Sequence, residues 1–414
     1  MKKIKTAIAL LLTILFTLSA FAAAPTSVSA KGIEKKAKLK LWVPDKEVKT
    51  AKKLAKSFVK KYKSKKISVK VSAESEADAG TYLLSDNSSA ADVVTIASDQ
   101  LNNFVNAKVI SPIKSPKSIK KNMLKSLVSA STFNKKLYAI PRSLNGYCLV
   151  YDKTVVSEKQ AKTLEGVLQA CQSKNKKFIM DAGNGYYSCI FLFTGGLRLK
   201  GLKSDGFTQK FNKYDINTLT KTLKAFSVLF HKYSNVFRSL AVSNIPAGFT
   251  STSTRESTCG AGIDGIWDYE ACKAALGKNF GAAKLPTINV NGKNKQIVSM
   301  LGYTGYVVNK ASKYPKAAQA LAKYISTKAA QKKRASKNIV PTNKKLLKSS
   351  YISKKPMMKA LYKQSKYSVP QVSIGMIWDP FGNLGNKITA KNINPDKYDY
   401  QKLIEKTIDN ILDM

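Results

Sequence analysis

Length and charge set the first limits on this chain of 414 residues. Domains usually contain about 100–200 residues, so a single small module is excluded and two domains or lobes are expected. Hydrophobic residues make up 44% of the chain, which is enough for packed cores despite a formal net charge of +46. Of the 71 basic residues only 5 are arginine, whereas base reading and two-pronged hydrogen bonding to phosphate favour arginine. The lysine excess therefore indicates a solvated surface rather than a nucleic-acid partner.

The first thirty residues have the three-part plan of a secretory signal peptide. Three lysines precede an apolar run from Ala7 to Ala24, and small residues follow up to Ala30. We expect cleavage after Ala30 and, because no cysteine lies nearby, no lipid anchor there. An uncleaved anchor is the alternative, since residues 8–24 approach the length of a membrane span. The pattern predicts export to the periplasm or the outer face of the cell envelope, which argues against cytoplasmic nucleic acid as a partner.

Signatures of common catalytic and metal sites are missing from the sequence. His231 is the only histidine, so a zinc triad is excluded and a structural or surface role is expected for it. No G-x-S-x-G elbow occurs, and Leu202 stands where the stretch after Gly195 would need a phosphate-binding lysine. We therefore expect no enzyme, metal or cofactor. A glycosidase, whose two carboxylates meet only in the fold, remains the alternative.

Cysteine usage leaves the redox state open. The five cysteines are too few and too scattered for a disulfide scaffold, and none forms a C-x-x-C zinc pair. An exported protein can carry a disulfide, but spacing alone does not decide whether one forms. The nearest pairs in sequence are Cys171/Cys189 and Cys259/Cys272. With Cys148 the count is odd, so at least one thiol is free or paired between chains.

After the predicted signal peptide, segments with strand-like and helix-like spacing of apolar residues alternate along the chain. Residues 39–43 and 67–71 alternate like strands, whereas residues 51–62 repeat apolar positions at helical spacing on a lysine-rich segment. A buried-strand run at 91–97 leads into a helix over 101–105. Further strands are predicted at 137–141, 147–151 and 178–181, and further helices at 164–171, 219–230 and 317–325. This alternation predicts α/β lobes in which helices cover mainly parallel sheets.

Aromatic residues follow glycines in turn-like sequence at three places. Trp267 and Trp378 each come shortly after a glycine and beside an aspartate, and Tyr186 and Tyr187 follow Gly183-Asn184-Gly185. One interpretation is that these rings fill hydrophobic cores. The other is a sugar site, because the C–H faces of a pyranose rest on aromatic planes while its hydroxyls bond to Asp, Asn and Lys side chains. The residues alone leave both interpretations open.

Short segments occur in a recognisable order from Lys38 to the end of the chain. They read KLKLWVPDK at 38–46, ADVVTIASD at 91–99, KLYAIP at 136–141, YCLVYDK at 147–153, GIW at 265–267, KLP at 284–286 and VPQV at 369–372. This ordered set resembles the maltose/maltodextrin-binding family, the extracellular solute-binding proteins of carbohydrate ABC importers. The resemblance implies a two-lobed periplasmic-binding-protein fold of type II, with a ligand cleft between the lobes and crossings that act as hinges.

The resemblance also implies ligand-binding residues on both lobes. By position, sugar hydroxyls would meet Asp45, Lys46, Asp78 and Asp99 on the first lobe, with Glu74 and Glu76 near Asp78. The second lobe would supply the stacking residues Tyr186, Tyr187, Trp267 and Trp378. Asn145, four residues after Pro141, stands at a carboxylate position of the family.

Besides Asn145, two residues and one spacing depart from the family pattern. Ile96 stands at a tryptophan position of the maltose proteins and Gln100 at an arginine position, and the spacing from Pro370 to Trp378 is longer. The first two changes, with Asn145, remove one stacking plane and two charged contacts. An oligosaccharide is therefore better supported as the ligand than maltose itself.

The implied architecture divides the chain after a signal peptide at residues 1–30. The first lobe is expected to comprise residues 31–143 and 303–348, and the second 144–302 and 349–414. The implied function is extracytoplasmic binding of an oligosaccharide such as maltose or maltodextrin and its delivery to a membrane permease by hinge closure, with a monomer expected. Two alternatives remain: a secreted polysaccharide-acting enzyme, and a basic adhesin of the cell envelope.

Overall fold

The computed structural model describes residues 32–204, 208–251, 257–371 and 376–413, so the predicted signal peptide lies outside the described residues. The strands are β1 (Lys38–Val43), β2 (Ser68–Ala73), β3 (Val93–Ala97), β4 (Ile110–Ser111), β5 (Thr132–Phe133), β6 (Lys136–Leu137), β7 (Ile140–Asn145), β8 (Tyr147–Asp152), β9 (Lys177–Met180), β10 (Leu199–Leu202), β11 (Gln209–Phe211), β12 (Phe237–Ser239), β13 (Cys259–Gly265), β14 (Phe280–Ala283), β15 (Thr287–Val290), β16 (Lys293–Gln296), β17 (Ser299–Asn309) and β18 (Ser368–Pro370).

The α-helices alternate with these strands, and the segments predicted as helices are all helical. The helices are α1 (Val48–Lys61), α2 (Glu76–Ser85), α3 (Leu101–Asn106), α4 (Lys117–Asn122), α5 (Lys125–Ala130), α6 (Leu164–Ser173), α7 (Gly185–Ser188), α8 (Ile190–Gly195), α9 (Ile216–Lys232), α10 (Asn244–Phe249), α11 (Tyr269–Leu276), α12 (Pro315–Ile325), α13 (Lys328–Ala335), α14 (Lys344–Leu347), α15 (Ser350–Ser353), α16 (Pro356–Gln364), α17 (Trp378–Thr389) and α18 (Tyr400–Leu412). Within the described ranges, no helix is both long and apolar enough to cross a membrane.

The first sheet forms the core of what we call the first lobe. Its main order is β18-β17-β3-β1-β2, and β4 and β7 also pair with β17. β1 runs parallel to β2 and β3, whereas β17 runs antiparallel to β3, β4 and β7. Because β1, β2 and β3 are parallel, the loops that follow them leave the sheet at the same edge.

The second sheet forms the core of the second lobe, with the order β12-β9-β13-β8-β14. β9 is parallel to β12 and β13, and β8 is antiparallel to β13 and β14. The predicted α/β architecture is confirmed, although both sheets are mixed rather than mainly parallel. β8 and β17 each enter a sheet directly from the other lobe, without the crossover helix that a parallel neighbour requires.

Amphipathic helices cover both faces of the first sheet. In α1 the apolar residues recur at intervals of three and four, so one face of the helix packs against the sheet and the lysines face outward. Its buried residues are Ala51, Leu54, Ala55 and Phe58. Along β1, Leu41 lies in the core beneath α1 and α12, whereas Trp42 packs against the opposite core beneath α2 and α3. This alternation is the period of two that the sequence shows.

The chain passes between the two sheets more than once. β7 of the first sheet ends at Asn145 and β8 of the second begins at Tyr147, so one crossing lies at Gly146. A second crossing precedes β17, which follows the β15–β16 hairpin. Near it the N–H of Met300 donates to the Tyr147 hydroxyl at 3.2 Å. These short, hydrogen-bonded crossings hold the two sheets side by side and leave a cleft between them.

Candidate functional site

Three loops at the common edge of the first sheet carry the polar residues predicted for the first lobe. Asp45 and Lys46 lie in a 3-10 turn after β1, and both side chains are exposed. Asp78 lies in the first turn of α2, and Asp99 lies in a 3-10 turn after β3. The parallel strands therefore bring these four residues, from three segments that are distant in sequence, to one edge of the lobe.

Ser75 caps α2 at this edge and engages Asp78. The Ser75 hydroxyl donates to the Asp78 carboxylate at 2.6 Å, and the Asp78 N–H donates to the Ser75 hydroxyl at 3.0 Å. The neighbouring Glu76 lies instead on the wall of the cleft. Burial raises the pKa of Glu76, and the charge of Arg142 opposes this shift. Glu76 is thus the carboxyl group of this loop that meets the cleft.

A buried ion cluster supports this wall. The Arg142 guanidinium pairs with Glu47, donates to the Thr304 hydroxyl at 2.9 Å and lies 3.9 Å from the Glu76 carboxylate. Burial alone would lower the pKa of Arg142, but the charge and hydrogen bond of Glu47, together with Tyr306 and Glu76, raise the pKa above its ordinary value. The sequence gives one indication of this cluster, because arginine is rare in this chain. Its planar guanidinium can form two parallel hydrogen bonds to a carboxylate, which a lysine ammonium cannot.

The four aromatic residues predicted for the second lobe converge around Tyr186. The ring centroids of Trp267 and Trp378 lie 6.2 and 6.0 Å from the Tyr186 ring. The Tyr187 ring lies 5.5 Å away at 84°, and Tyr147 packs against both tyrosines at 5.2 and 4.9 Å. The Trp267 side chain is 40% exposed, so this indole does not fill a core. We name Tyr186, Tyr187, Trp267 and Trp378 the aromatic cluster.

Close contact between α7 and α17 assembles the aromatic cluster. A Cβ atom at Gly185 would lie 2.0 Å from the Trp378 carbonyl oxygen, and one at Gly382 would lie 2.3 Å from the Gly183 carbonyl oxygen. Only glycine permits this approach. Asn184 caps α7 by accepting a hydrogen bond from the Tyr186 N–H at 3.0 Å. The glycines around Tyr186 thus bring its ring beside Trp378.

Two hydroxyls of the aromatic cluster are buried without a hydrogen-bond partner among the described residues. They belong to Tyr186 and Tyr187. Burial is the main cause that raises the pKa of Tyr186, and the charges of Cys189 and then Asp99 raise it further. Because Asp99 belongs to the first lobe, its carboxylate and the Tyr186 phenol interact from opposite sides of the cleft. A buried hydroxyl that lacks a partner costs free energy, and a ligand hydroxyl can recover that cost.

A cavity of about 620 Å³ lies between the lobes. Three of the predicted residues line it, namely Lys46, Asn145 and Trp267. The six predicted residues that are not among its lining residues are Asp45, Asp78, Asp99, Tyr186, Tyr187 and Trp378. Sequence reasoning named Glu76 only as a neighbour of Asp78, and it missed other parts of the wall, which include Arg142, Tyr269, Glu270 and residues 336–340.

Arg334 places residues 336–340 on this wall. Its buried guanidinium donates to the Ile325 carbonyl at 2.5 Å and to the Arg142 carbonyl at 3.5 Å. Arg142 and Arg334 lie 5.1 and 5.4 Å from the centroid of the Tyr306 ring, within cation–π distance. The Leu144 N–H also donates to the Val340 carbonyl at 3.0 Å. These contacts join segments that are far apart in sequence, so no local pattern predicts them.

A buried carboxyl group lies behind the aromatic cluster. Asp264, near the end of β13, is fully buried and accepts a hydrogen bond from the Gly265 N–H at 2.6 Å. The Cys272 thiol lies 3.5 Å from its other oxygen. Burial, and then the charge of Asp268, raises the pKa of Asp264. Asp264 therefore stays neutral over a wider pH range than an ordinary aspartate.

The cysteines are free and buried in the structure. They are Cys148, Cys171, Cys189, Cys259 and Cys272. Neither of the pairs left open by the sequence forms a disulfide, and burial raises the pKa of Cys171 and of Cys189 to about 12. These thiols are therefore poor nucleophiles.

His231 has a structural role, as its isolated position in the sequence indicates. Its ring nitrogens lie 2.8 and 2.9 Å from the carbonyl oxygens of Ser227 and Ala390, away from the cleft. Within the described ranges, no three His, Cys, Asp or Glu side chains are grouped so that they could hold a metal ion.

Residues 53–360 match the family model of the bacterial extracellular solute-binding proteins. The chain belongs to this family. It is thus an exported binding protein, and the prediction that it is not an enzyme is confirmed. The secreted polysaccharide-acting enzyme is set aside as an alternative.

A curated relative and two solved structures illustrate what this solute-binding protein is similar to. It is 26% identical over 315 residues to the galactooligosaccharide-binding protein of Bacillus subtilis (strain 168). The match covers 73% of each chain. The maltodextrin-binding protein MalE1 of L. casei BL23, solved without ligand, is 25% identical with a TM-score of 0.77 and coverage of 91% of this chain and 99% of that one.

The second structure extends the likeness in fold. The maltose-binding periplasmic protein MalE of Listeria monocytogenes, solved with maltose, is 19% identical with a TM-score of 0.72. The match covers 91% of this chain and 97% of the other. The two-lobed fold that the sequence predicts is confirmed by these structures.

Proposed function

We propose that this solute-binding protein binds a neutral oligosaccharide in the cleft between its lobes and delivers it to the permease of an ABC importer. One observation carries the proposal. The aromatic cluster combines exposed ring surface with two buried phenol hydroxyls that have no partner among the described residues. A sugar matches both features, because its C–H faces pack on rings while its hydroxyls donate and accept hydrogen bonds.

Polar groups on the opposite lobe suit the same ligand. Glu76, Lys46 and Asn145 line the cavity, and Asp99 interacts with Tyr186 across the cleft. Carboxylates accept hydrogen bonds from sugar hydroxyls, whereas lysine donates to them. Asp45 and Asp78, at the same edge of the first lobe, would join this set when the cleft closes. The ligand would therefore bridge rings on one lobe and charged groups on the other.

Two sugar classes are supported as the ligand. The curated relative is named for galactooligosaccharides, whereas the solved relatives are named for maltodextrin and maltose. The sequence favours an oligosaccharide such as maltodextrin, but Ile96 is fully buried within β3 and supplies no ring to the cleft. We propose an oligosaccharide of at least two residues, with maltodextrin as the first candidate and galactooligosaccharide as the second.

Hinge closure would couple binding to transport. The lobes proposed from the sequence, residues 31–143 with 303–348 and 144–302 with 349–414, are linked by crossings such as the one at Gly146. A ligand that contacts both lobes binds the closed state more tightly and shifts the equilibrium towards it. The closed monomer would then present both lobe surfaces to the permease. The proposed signal peptide would direct export, and its cleavage after Ala30 would release the mature protein.

Calorimetry with a panel of sugars tests the proposal. The secreted protein is titrated with maltose, linear maltodextrins of increasing length, galactooligosaccharides and an uncharged polymer of unrelated linkage. We expect heat and a change in tryptophan fluorescence for one oligosaccharide series, with affinity rising with length until the cleft is filled. If no member of a broad glycan panel changes either signal, the sugar-binding proposal is wrong.

A further inference from the structure

Charge is strongly segregated within the first lobe. Six of its nine carboxylates lie at the loops beside the cleft, namely Asp45, Glu47, Glu74, Glu76, Asp78 and Asp99. The helices α1, α4 and α12 cover a common hydrophobic core on one face of the sheet and contain no aspartate or glutamate. They carry eleven lysines, six on α1, three on α4 and two on α12. We name the surface of these three helices the basic face.

The three helices form one continuous surface rather than separate patches. The Phe58 ring of α1 lies 5.6 Å from the Tyr324 ring of α12, and the Lys61 ammonium lies 5.6 Å from the same ring. The segment that leads into α4 is tied to α12, since the Lys114 N–H donates to the Gln319 side chain at 3.1 Å. Ten of the eleven lysines are exposed, so their ammonium groups share one side of the lobe.

The charge of the basic face is not neutralised by the described part of the protein. None of the eleven lysines forms an ion pair with a described residue. The adjacent carboxylate, Glu34, is already engaged, because it accepts hydrogen bonds from the N–H groups of Lys316 and Ala317 at 3.0 and 2.7 Å. It serves the positive end of α12 rather than a lysine side chain.

Repulsion on α1 makes an external anion favourable. Lys49 and Lys53, Lys52 and Lys56, and Lys56 and Lys60 are pairs four residues apart, where like charges destabilise a helix. Lysine in the first turn also opposes the helix dipole. A polyanion laid along α1 would relieve both effects while releasing its own counterions.

We infer that the basic face binds a phosphodiester-backbone polymer of the cell envelope. Lysine ammonium groups act as point charges on phosphate and need no fixed geometry, which suits a flexible polymer of repeating phosphates. The exposed large hydrophobic residues in the described ranges all lie outside these helices, so the face has no apolar anchor for insertion into a bilayer. None of the eleven lysines lines the cleft, so the polymer holds the protein at the envelope while its sugar site stays open.

The test compares two variants of equal net charge. One carries Lys→Gln substitutions at Lys52, Lys53, Lys56 and Lys60 of the basic face, and glutamine keeps a similar helix propensity. The control carries Lys→Gln at Lys391, Lys397, Lys402 and Lys406, exposed residues of the second lobe near α18, where acidic residues alternate with the lysines. Binding of the full secreted chain to labelled poly(glycerol phosphate) is measured by anisotropy at increasing sodium chloride.

We expect the wild-type affinity to fall steeply with salt, and the basic-face variant to bind at least about tenfold more weakly with a shallower salt slope, while the control stays within about twofold. The polymer should also raise the Tm of the wild type but not of the basic-face variant. Equal losses in both variants, no salt-dependent binding, or tighter binding to phosphatidylglycerol vesicles than to the polymer would each overturn the inference. Sugar affinity should be unchanged in both variants. Failure of the sugar-binding proposal can therefore be distinguished from failure of the polymer-binding inference.

Discussion

The side-chain amide of Asn338 donates a hydrogen bond to the Glu270 carboxylate. Both residues line the cleft cavity, Asn338 from the loop after α13 in the first lobe and Glu270 from α11 in the second. The Lys355 ammonium lies 3.5 Å from the side-chain Oδ1 of Asn338 and supports the same contact. A direct side-chain bond therefore joins the lobes at the cleft, where closure brings them together.

Removing this bond should speed the release of ligand. We expect Glu270→Ala and Asn338→Ala each to raise the dissociation rate of a bound oligosaccharide, because a hydrogen bond to a charged group stabilises the closed state by about 1 kcal/mol or more. Stopped-flow fluorescence measures the rate. The double variant should show less than the sum of the single effects. Glu165→Ala, which removes an ion pair with Lys232 inside the second lobe, is the matched control and should leave the rate unchanged. Additive effects in the double variant would contradict the prediction.

Trp267 should contribute to binding more than to stability. Because its indole is 40% exposed, Trp267→Ala should weaken oligosaccharide binding by about 1–3 kcal/mol with little change in Tm. Calorimetry and thermal unfolding measure the two effects. Trp42→Ala is the control, since Trp42 packs against Tyr82 at 5.5 Å in the first lobe and does not line the cavity. It should lower Tm and leave affinity intact. A lower Tm without a loss of affinity in Trp267→Ala would favour a core role.

Removing the Tyr186 hydroxyl should raise the stability of the ligand-free protein but weaken sugar binding. We expect Tyr186→Phe to increase the free energy of unfolding of the ligand-free protein by about 1 kcal/mol, because it removes a buried donor without a partner, and to weaken sugar binding. Tyr303→Phe is the matched control, since the Tyr303 hydroxyl is bonded to the Ser131 hydroxyl at 2.7 Å and is buried. This variant should lose stability and keep its affinity. If Tyr186→Phe destabilises the ligand-free protein, its hydroxyl has a structural partner.

Local patterns predicted the elements well and the cleft only in part. The strand and helix at 39–62 follow from the periods of their apolar residues, and glycines around Tyr186 and Trp267 indicated rings at the ends of elements. Glu76 stands two residues before the predicted Asp78, but which acid of the loop meets the cleft depends on how Ser75 caps α2. The ion cluster of Arg142 and the loop after Arg334 depend on contacts between distant segments, which periodicity does not encode.

The buried acid behind the aromatic cluster should make stability depend on pH in a defined direction. Burial, and then the charge of Asp268, raises the pKa of Asp264 above its unfolded value of about 4. The contribution of Asp264 to the stability of the folded protein is therefore fully present below about pH 4. This contribution is lost as pH rises through the folded pKa. Asp264→Asn should flatten this decline in urea unfolding from pH 4 upward. Asp86→Asn is the control of opposite sign, because hydrogen bonds from Ser88 and Ser89 lower the pKa of Asp86 and its contribution is lost in acid. If Asp264→Asn keeps the wild-type slope, neither burial nor the charge of Asp268 raises the pKa of Asp264, and the prediction is wrong.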